Sequence, residues 1–224
     1  MNFNTNTNNT NNTNNTNNTN NTNNTNNTNN TNNTNNTNNT NNTEKILFNK
    51  NDFIVKKTGK NKFSLVFFVE NKNIILSSVI NFDLIKLFYD LNPDIYEKVI
   101  LEKNNETQCK VIFLLKHFFE DLGLSQKYSY FNITKTIYDK KIVFESQSIT
   151  DVKPDIIPDD VELINSHVNC ECDVITCHKI QFTIFIEIKN EFKIPEIVEK
   201  VIGNILYKIF KRVKQFIENI IINK

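Results

Sequence analysis

The chain is 224 residues long, with a formal net charge of +1, 38% hydrophobic residues, three glycines and no tryptophan. A near-neutral balance lacks the basic excess of a nucleic-acid-binding chain, and no run reaches the roughly 18 apolar residues of a membrane-spanning helix. The N-terminus has neither a basic n-region nor an apolar h-region, so no secretory signal is read and an intracellular protein is expected.

From Asn8 to Thr43 the chain repeats Asn-Asn-Thr with period three. Such a tract has no apolar face to bury and cannot offset the entropy of ordering, so residues 1–43 are expected to be a disordered low-complexity tail. Each repeat is formally an N-glycosylation acceptor, as at Asn8 and Asn11, but without a secretory signal that reading lapses. A spacer, a self-associating Asn-rich segment and plain codon-repeat expansion remain the readings of the tract. Apart from Met1 and Phe3, every hydrophobic residue lies after it, enough for one globular core.

Residues 44–72 read as an extension with short strands, Phe53-Ile54-Val55 and Phe63 to Val69, around the turn-like Thr58-Gly59-Lys60-Asn61. Ile74 to Ile80 reads as a strand leading into Phe82 to Tyr89, whose apolar spacing becomes helical and which Asn92-Pro93-Asp94 stops. Val99-Ile100-Leu101 and Cys109 to Leu115 form a hairpin around Asn104-Asn105. Tyr128 to Tyr138 and Ile142 to Ile149 form another, with Asp139-Lys140 at its tip. Asp151 to Asp160, with Pro154 and Pro158, is a loop; Val161 to Val174 and Ile180 to Ile188 are the last strands.

The final stretch is a long amphipathic helix from Pro195 to about residue 222, roughly 40 Å in length. Its apolar positions, Ile197 through Ile221, cover well over half the circumference, with Phe216 among the packing positions; Lys200, Asn204, Lys208, Lys211 and Gln215 form the polar gap. Pro195 suits the first turn, and Glu196 and Glu199 suit the positive end of the dipole. Consecutive strands with helices towards the ends give an α+β class: a curved antiparallel β-sheet wrapped around the C-terminal helix.

In order, length and pattern, residues 73–222 resemble the START/SRPBCC helix-grip superfamily, which includes lipid-transfer, polyketide-cyclase and birch-pollen-allergen domains. Ile75 to Phe88 is similar to that family's first strand running into its first helix, and Asn92-Pro93-Asp94-Ile95-Tyr96 stands where it places a short second helix. Lys127 to Ser148 resembles the central hairpin, and Phe182 to Ile188 with Ile194-Pro195 and the last helix resembles the closing strand and helix. On this resemblance 73–224 is the helix-grip domain. It implies a cavity between sheet and helix for a lipid or other apolar small molecule. The segment 44–72, the few glycines and the missing Trp depart from the family.

Catalytic signatures are absent: three glycines allow neither a P-loop nor a dinucleotide fingerprint, and there is no Gly-x-Ser-x-Gly elbow. Cys170, Cys172, Cys177 and His178 are weighed as a zinc site, but alternation puts Val168, Cys170, Cys172 and Val174 on one strand face as small hydrophobes, so no metal or other cofactor is assigned. His117 and His167 have no nearby nucleophile and read as structural. Ligand contacts are expected from Ile202, Leu206, Ile209 and Val213 at the centre of the helix's apolar arc. Glu199 falls on that arc too, as a candidate ligand-orienting carboxylate or a helix-start acid reaching water. Lys208, Lys211, Arg212 and Lys214 are a candidate contact for anionic headgroups or a solvated face. The first functional reading is a non-enzymatic hydrophobic-ligand binder, the second an interaction module with a filled core. A cyclase-like enzyme is third, because no acid–base pair is identifiable.

If the tail takes no part in the fold, limited proteolysis will trim the chain to near Glu44. A chain beginning there will melt at the full-length temperature; a clear loss of Tm would tie the tail to the core.

Overall fold

The computed structural model describes residues 44–118, 120–123, 125–189 and 194–221; the Asn/Thr tail lies outside them. The described chain opens with three antiparallel strands, β1 (Lys45–Lys50), β2 (Phe53–Gly59) and β3 (Lys62–Glu70). Asn51 and Asp52 close the first hairpin with φ of 53° and 64°, the left-handed pair of a two-residue type I′ turn that Asn and Asp tolerate. Asn61 takes a left-handed position (φ 54°) in the second turn.

Ile74 to Ile80 is not the expected strand. It carries a short 3-10 turn at Leu76–Ser78. The Leu76 N–H donates to the Cys177 carbonyl, and His178 Nδ1 lies 2.8 Å from the Ile74 carbonyl oxygen. Ile74, Leu76 and Ile80 are buried, so the apolar residues here mark three points of burial along a crossing segment and not a ladder. Helix α1 (Asp83–Asp90) follows, its first free N–H, that of Asp83, donating to the Asn81 side-chain oxygen at 2.7 Å. No second helix forms at Asn92–Tyr96. The Asn92 carbonyl accepts the N–H groups of Ile95 and Tyr96, and the chain turns straight into β4 (Tyr96–Lys103).

Strands β5 (Gln108–Leu115), β6 (Lys127–Ile137) and β7 (Lys141–Ser148) continue the meander. Its hairpins turn where the sequence places them, around Asn104-Asn105 and Asp139-Lys140. The strand expected at Val161 to Val174 is two: β8 (Glu162–Leu163) pairs in parallel with β6, and β9 (Ser166–Thr176) joins the main sheet. Their separation follows from Ser148, whose hydroxyl accepts the Ser166 N–H and donates to the Ser166 carbonyl, each at 2.9 Å.

With β10 (Lys179–Ile188) the curved sheet runs β1-β2-β3-β10-β9-β7-β6-β5-β4, antiparallel along this path. The segment 44–72 therefore shares one ladder with the rest: β3 pairs with β10 along its whole length, Lys62 with Glu187 through Glu70 with Lys179. Across the concave face, Phe53, Phe67 and Phe182 stack at centroid separations of 4.8 and 4.9 Å. On the back, Ile157 and Val161 of the proline-bearing loop cover Ile112, Leu114 and Tyr128.

Helix α2 (Glu196–Glu218) is shorter than the sequence suggests and its buried stripe is narrower. Ile197 is 74% and Phe216 46% exposed; Phe216 is therefore not the packing residue expected. Two buried asparagines that flank β3 hold the helix at its ends. The Asn61 side-chain oxygen accepts the Ile194 N–H at 2.9 Å, just before the first turn. The Asn71 amide donates to the carbonyls of Ile217 (2.6 Å) and Ile220 (3.0 Å), just where the helix stops.

Asn71→Ala leaves those carbonyls unpaired and should lower stability by about 1–3 kcal/mol, read as a shift in urea midpoint. Amide exchange should rise first in the last turn of α2. An unchanged midpoint would show that water replaces the clasp.

Candidate functional site

Between the concave sheet and the two helices lies a cavity of about 360 Å³. Alternation along the strands supplies its wall: Phe67 and Val69 from β3, Phe131 and Ile133 from β6, Phe144 from β7, Val168, Cys170 and Cys172 from β9, and Phe182 to Ile188 at every second position of β10. The roof is Leu84, Ile85 and Phe88 of α1 with Ile202, Ile205, Leu206, Ile209, Phe210, Val213 and Ile217 of α2. Among the described residues, no lining side chain is charged.

Polar groups do reach this wall. Asn81, Ser129, Ser146, Ser166 and Tyr96 line it; the Asn81 side-chain oxygen accepts the Asp83 N–H, and none of the four hydroxyls has a side-chain hydrogen bond within the described residues. Every fully buried side-chain N or O atom there does have a partner, so these hydroxyls are not sealed within the protein. Burial holds the Tyr96 phenol well above its usual range, which keeps it neutral and able to donate. The Cys170 and Cys172 sulfurs lie 3.9 Å apart on the same wall. The neighbouring Cys170 thiol and burial together hold Cys172 well above the ordinary thiol range, so it too is uncharged. Exposed Cys177 and hydrogen-bonded His178 sit at the β9–β10 turn, and no cluster able to hold a metal ion occurs among the described residues.

Of the residues singled out in the sequence, Ile202, Leu206, Ile209 and Val213 all line the cavity. Glu199 does not. It is 2% exposed, and its carboxylate pairs with Lys57 of β2 at 2.5 Å. It neither faces the cavity nor reaches water, because the strand that supplies its cation crosses over the first turn of α2. The basic run is also partnered internally. Lys208 and Arg212 both bind Asp94, whose carboxyl Arg212 and then Lys208 hold well below the usual range. Lys214 pairs with Glu218, and Lys211 lies over the Tyr207 ring. Periodicity on α2 pointed to the roof residues. The hydroxyls were missed, although Ser129, Ser146 and Ser166 fall in phase with the apolar positions of their strands.

Solved structures share this fold. The STAR-related lipid transfer protein of Xanthomonas axonopodis superposes with a TM-score of 0.58 at 12% identity, covering 78% of this chain and 98% of that one. Human StAR-related lipid transfer protein 5 gives 0.54 at 12%, over 77% and 85%. The lipid transfer and protein localization domain of human StarD13 gives 0.56 at 14%, over 79% and 90%. The fold is the START-type helix-grip. No protein-family model matches the chain, and no curated protein matches it in sequence. Likeness at 12–14% identity establishes the START-type architecture and leaves the activity to be argued from the cavity. No helix among the described residues is long and apolar enough to cross a membrane.

Lys57→Ala strands a buried carboxylate and should destabilise by about 3–5 kcal/mol, whereas Lys57→Met with Glu199→Met should recover most of that loss. Chemical denaturation of both variants measures it; equal losses would show that packing, not charge, sets the cost.

Proposed function

We propose that this chain binds a hydrophobic small molecule or lipid in the cavity beneath α2, with Ile202, Leu206, Ile209 and Val213 as contacts and Glu199 in a structural role. The observation that carries this reading is an apolar void of about 360 Å³ in the middle of the fold. At about 24 cal/mol per Å³ of apolar cavity, leaving it empty would forgo on the order of 9 kcal/mol, as much as the whole net stability of an ordinary domain. An occupant recovers part of that loss. The named neighbours support the reading further, since those proteins are titled as lipid-transfer proteins or domains. An interaction module with a filled core would not carry such a void. Because the lining offers no carboxylate, imidazole or amine among the described residues, the proposed role is binding and not turnover.

Native mass spectrometry of the purified full chain should find a co-purified apolar ligand. Leu206→Trp projects into existing space and should lower that occupancy several-fold with little change in Tm. Overpacking of a filled core would instead cost about 1–3 kcal/mol. A large Tm loss in the variant, with no ligand ever found in the parent, would end the carrier reading.

A further inference from the structure

We propose that the free edge of β4 recognises a second copy of this chain, the two β4 strands pairing antiparallel about Ile100 into one continuous sheet. This is independent of the binding reading above.

Strand β4 ends the sheet and pairs with β5 alone. Where β4 runs into its turn, the Asn104 N–H donates to the Gln108 carbonyl. In an antiparallel pair every second residue faces the partner in this way. Counting back, Glu102, Ile100 and Lys98 turn their backbone groups to β5, opposite Lys110, Ile112 and Leu114. Lys103, Leu101 and Val99 therefore turn theirs outward, where no hydrogen bond reaches them among the described residues. Val99 and Leu101 are half-buried and line an open groove beside α1, so their side chains are within reach of a second copy.

The outward residues fix the registers that two copies can adopt. Outward residues must meet outward residues, so the allowed registers differ by two. In the one centred on Ile100, that residue faces itself across a two-fold axis. Val99 then faces Leu101 of the second copy, and Lys98 faces Glu102. Glu97, beside the bulge at Tyr96/Lys98, comes last and faces Lys103. Apolar meets apolar, and every charge meets its opposite. Centring the pair on Val99 or on Leu101 instead sets Lys98 or Glu102 against Ile100. One register is therefore selected by charge, and it is self-complementary, as an isologous contact requires.

Charges that only protect an edge from pairing need no such order. The opposite edge shows plain protection: β1 is six residues long, bulged between Ile46 and Phe48, with a lysine at each end. On β4, exposed Lys98 and Glu102 have no ion-pair partner among the described residues. Lys103 binds Asp83 and Glu97 accepts from the Gln126 amide, both at the surface. A ladder this short buries less than the roughly 1,200–2,000 Å² of a standard interface, so the dimer is weak and concentration-dependent.

The test is sedimentation velocity of the full-length protein at low salt, from about 1 to about 300 µM. The parent should dimerise reversibly, and less at high salt. Lys98→Glu alone and Glu102→Lys alone each put two like-charge pairs across the axis, and each should weaken self-association about tenfold or more. Mixed in equal amounts, these two variants restore opposite charges and should dimerise with each other as the parent does. The double variant, with both reversals in one chain, should recover as well. Equal melting temperatures check that all are folded. Amide exchange gives a second reading: the Val99 and Leu101 N–H groups should gain protection as parent concentration rises, and not in Lys98→Glu. A parent that stays monomeric throughout overturns the proposal. So does association that neither single reversal weakens, which would place the contact in the Asn/Thr tail or at β1. Failure of the mixed variants to pair would overturn the register and the proposal with it.

Discussion

Two asparagines set the geometry on which the cavity depends. Asn61 and Asn71 stand immediately before and after β3, and their side chains take the backbone at the start and end of α2. The lengths agree: ten residue steps of strand span about 33 Å, and the 23 residues of α2 span about 35 Å. The helix is therefore stretched along β3 like a bar held at both ends, with the anchors 2% and 3% exposed. A bar fixed at its ends need not be fixed by packing along its middle. That separates this helix from an ordinary core helix, whose position is set by the side chains it interdigitates with.

Lateral contacts complete the support. Lys57 of β2 holds Glu199 near the start of α2, and Asp94, in the turn after α1, receives Lys208 and Arg212 further along. Arg212 also donates to Asn92 at 3.0 Å. The residues of α2 that line the cavity are, by contrast, all apolar. Aromatic packing is concentrated beside the void: Phe210 meets Phe67 and Phe88 at 5.6 and 5.3 Å. Rigid walls with a supported roof keep space open that loose side chains would otherwise fill.

Much of this was legible in the residues, for reasons that differ by element. The hairpins at Asn104-Asn105 and Asp139-Lys140 were readable because turn chemistry and alternation agree there. Positions on α2 were readable because a 3.6-residue period assigns faces without a tertiary model. Ile74 to Ile80 was misread because local apolarity says that a segment is buried and not what it pairs with; its contacts come from His178 and Cys177, a hundred residues later. The role of 44–72 was underestimated for the same reason. Nothing local shows that β3 pairs with β10, yet that pairing puts Phe67 and Val69 on the cavity wall. Long-range pairing is where single-sequence reading stops.

Polar residues in apolar phase carry the information that remains. Glu199, Asn61 and Asn71 interrupt buried patterns, and so do Ser129, Ser146 and Ser166; by sequence alone the two groups look alike. The structure divides them by their partners. Each of the first three has a specific protein group within hydrogen-bond reach, so burying it is compensated and its role is to hold the helix. The serine hydroxyls and the Tyr96 phenol have no such group and open on the void. A fold that only needed to be stable would gain by replacing them with alanine, valine and phenylalanine, since hydroxyls left without partners oppose burial. Water completes such hydroxyls in an unoccupied cavity, and a ligand would do so on the binding reading proposed above. Polar residues in the same buried phase are thus of two kinds, divided by whether the protein itself completes their hydrogen bonds.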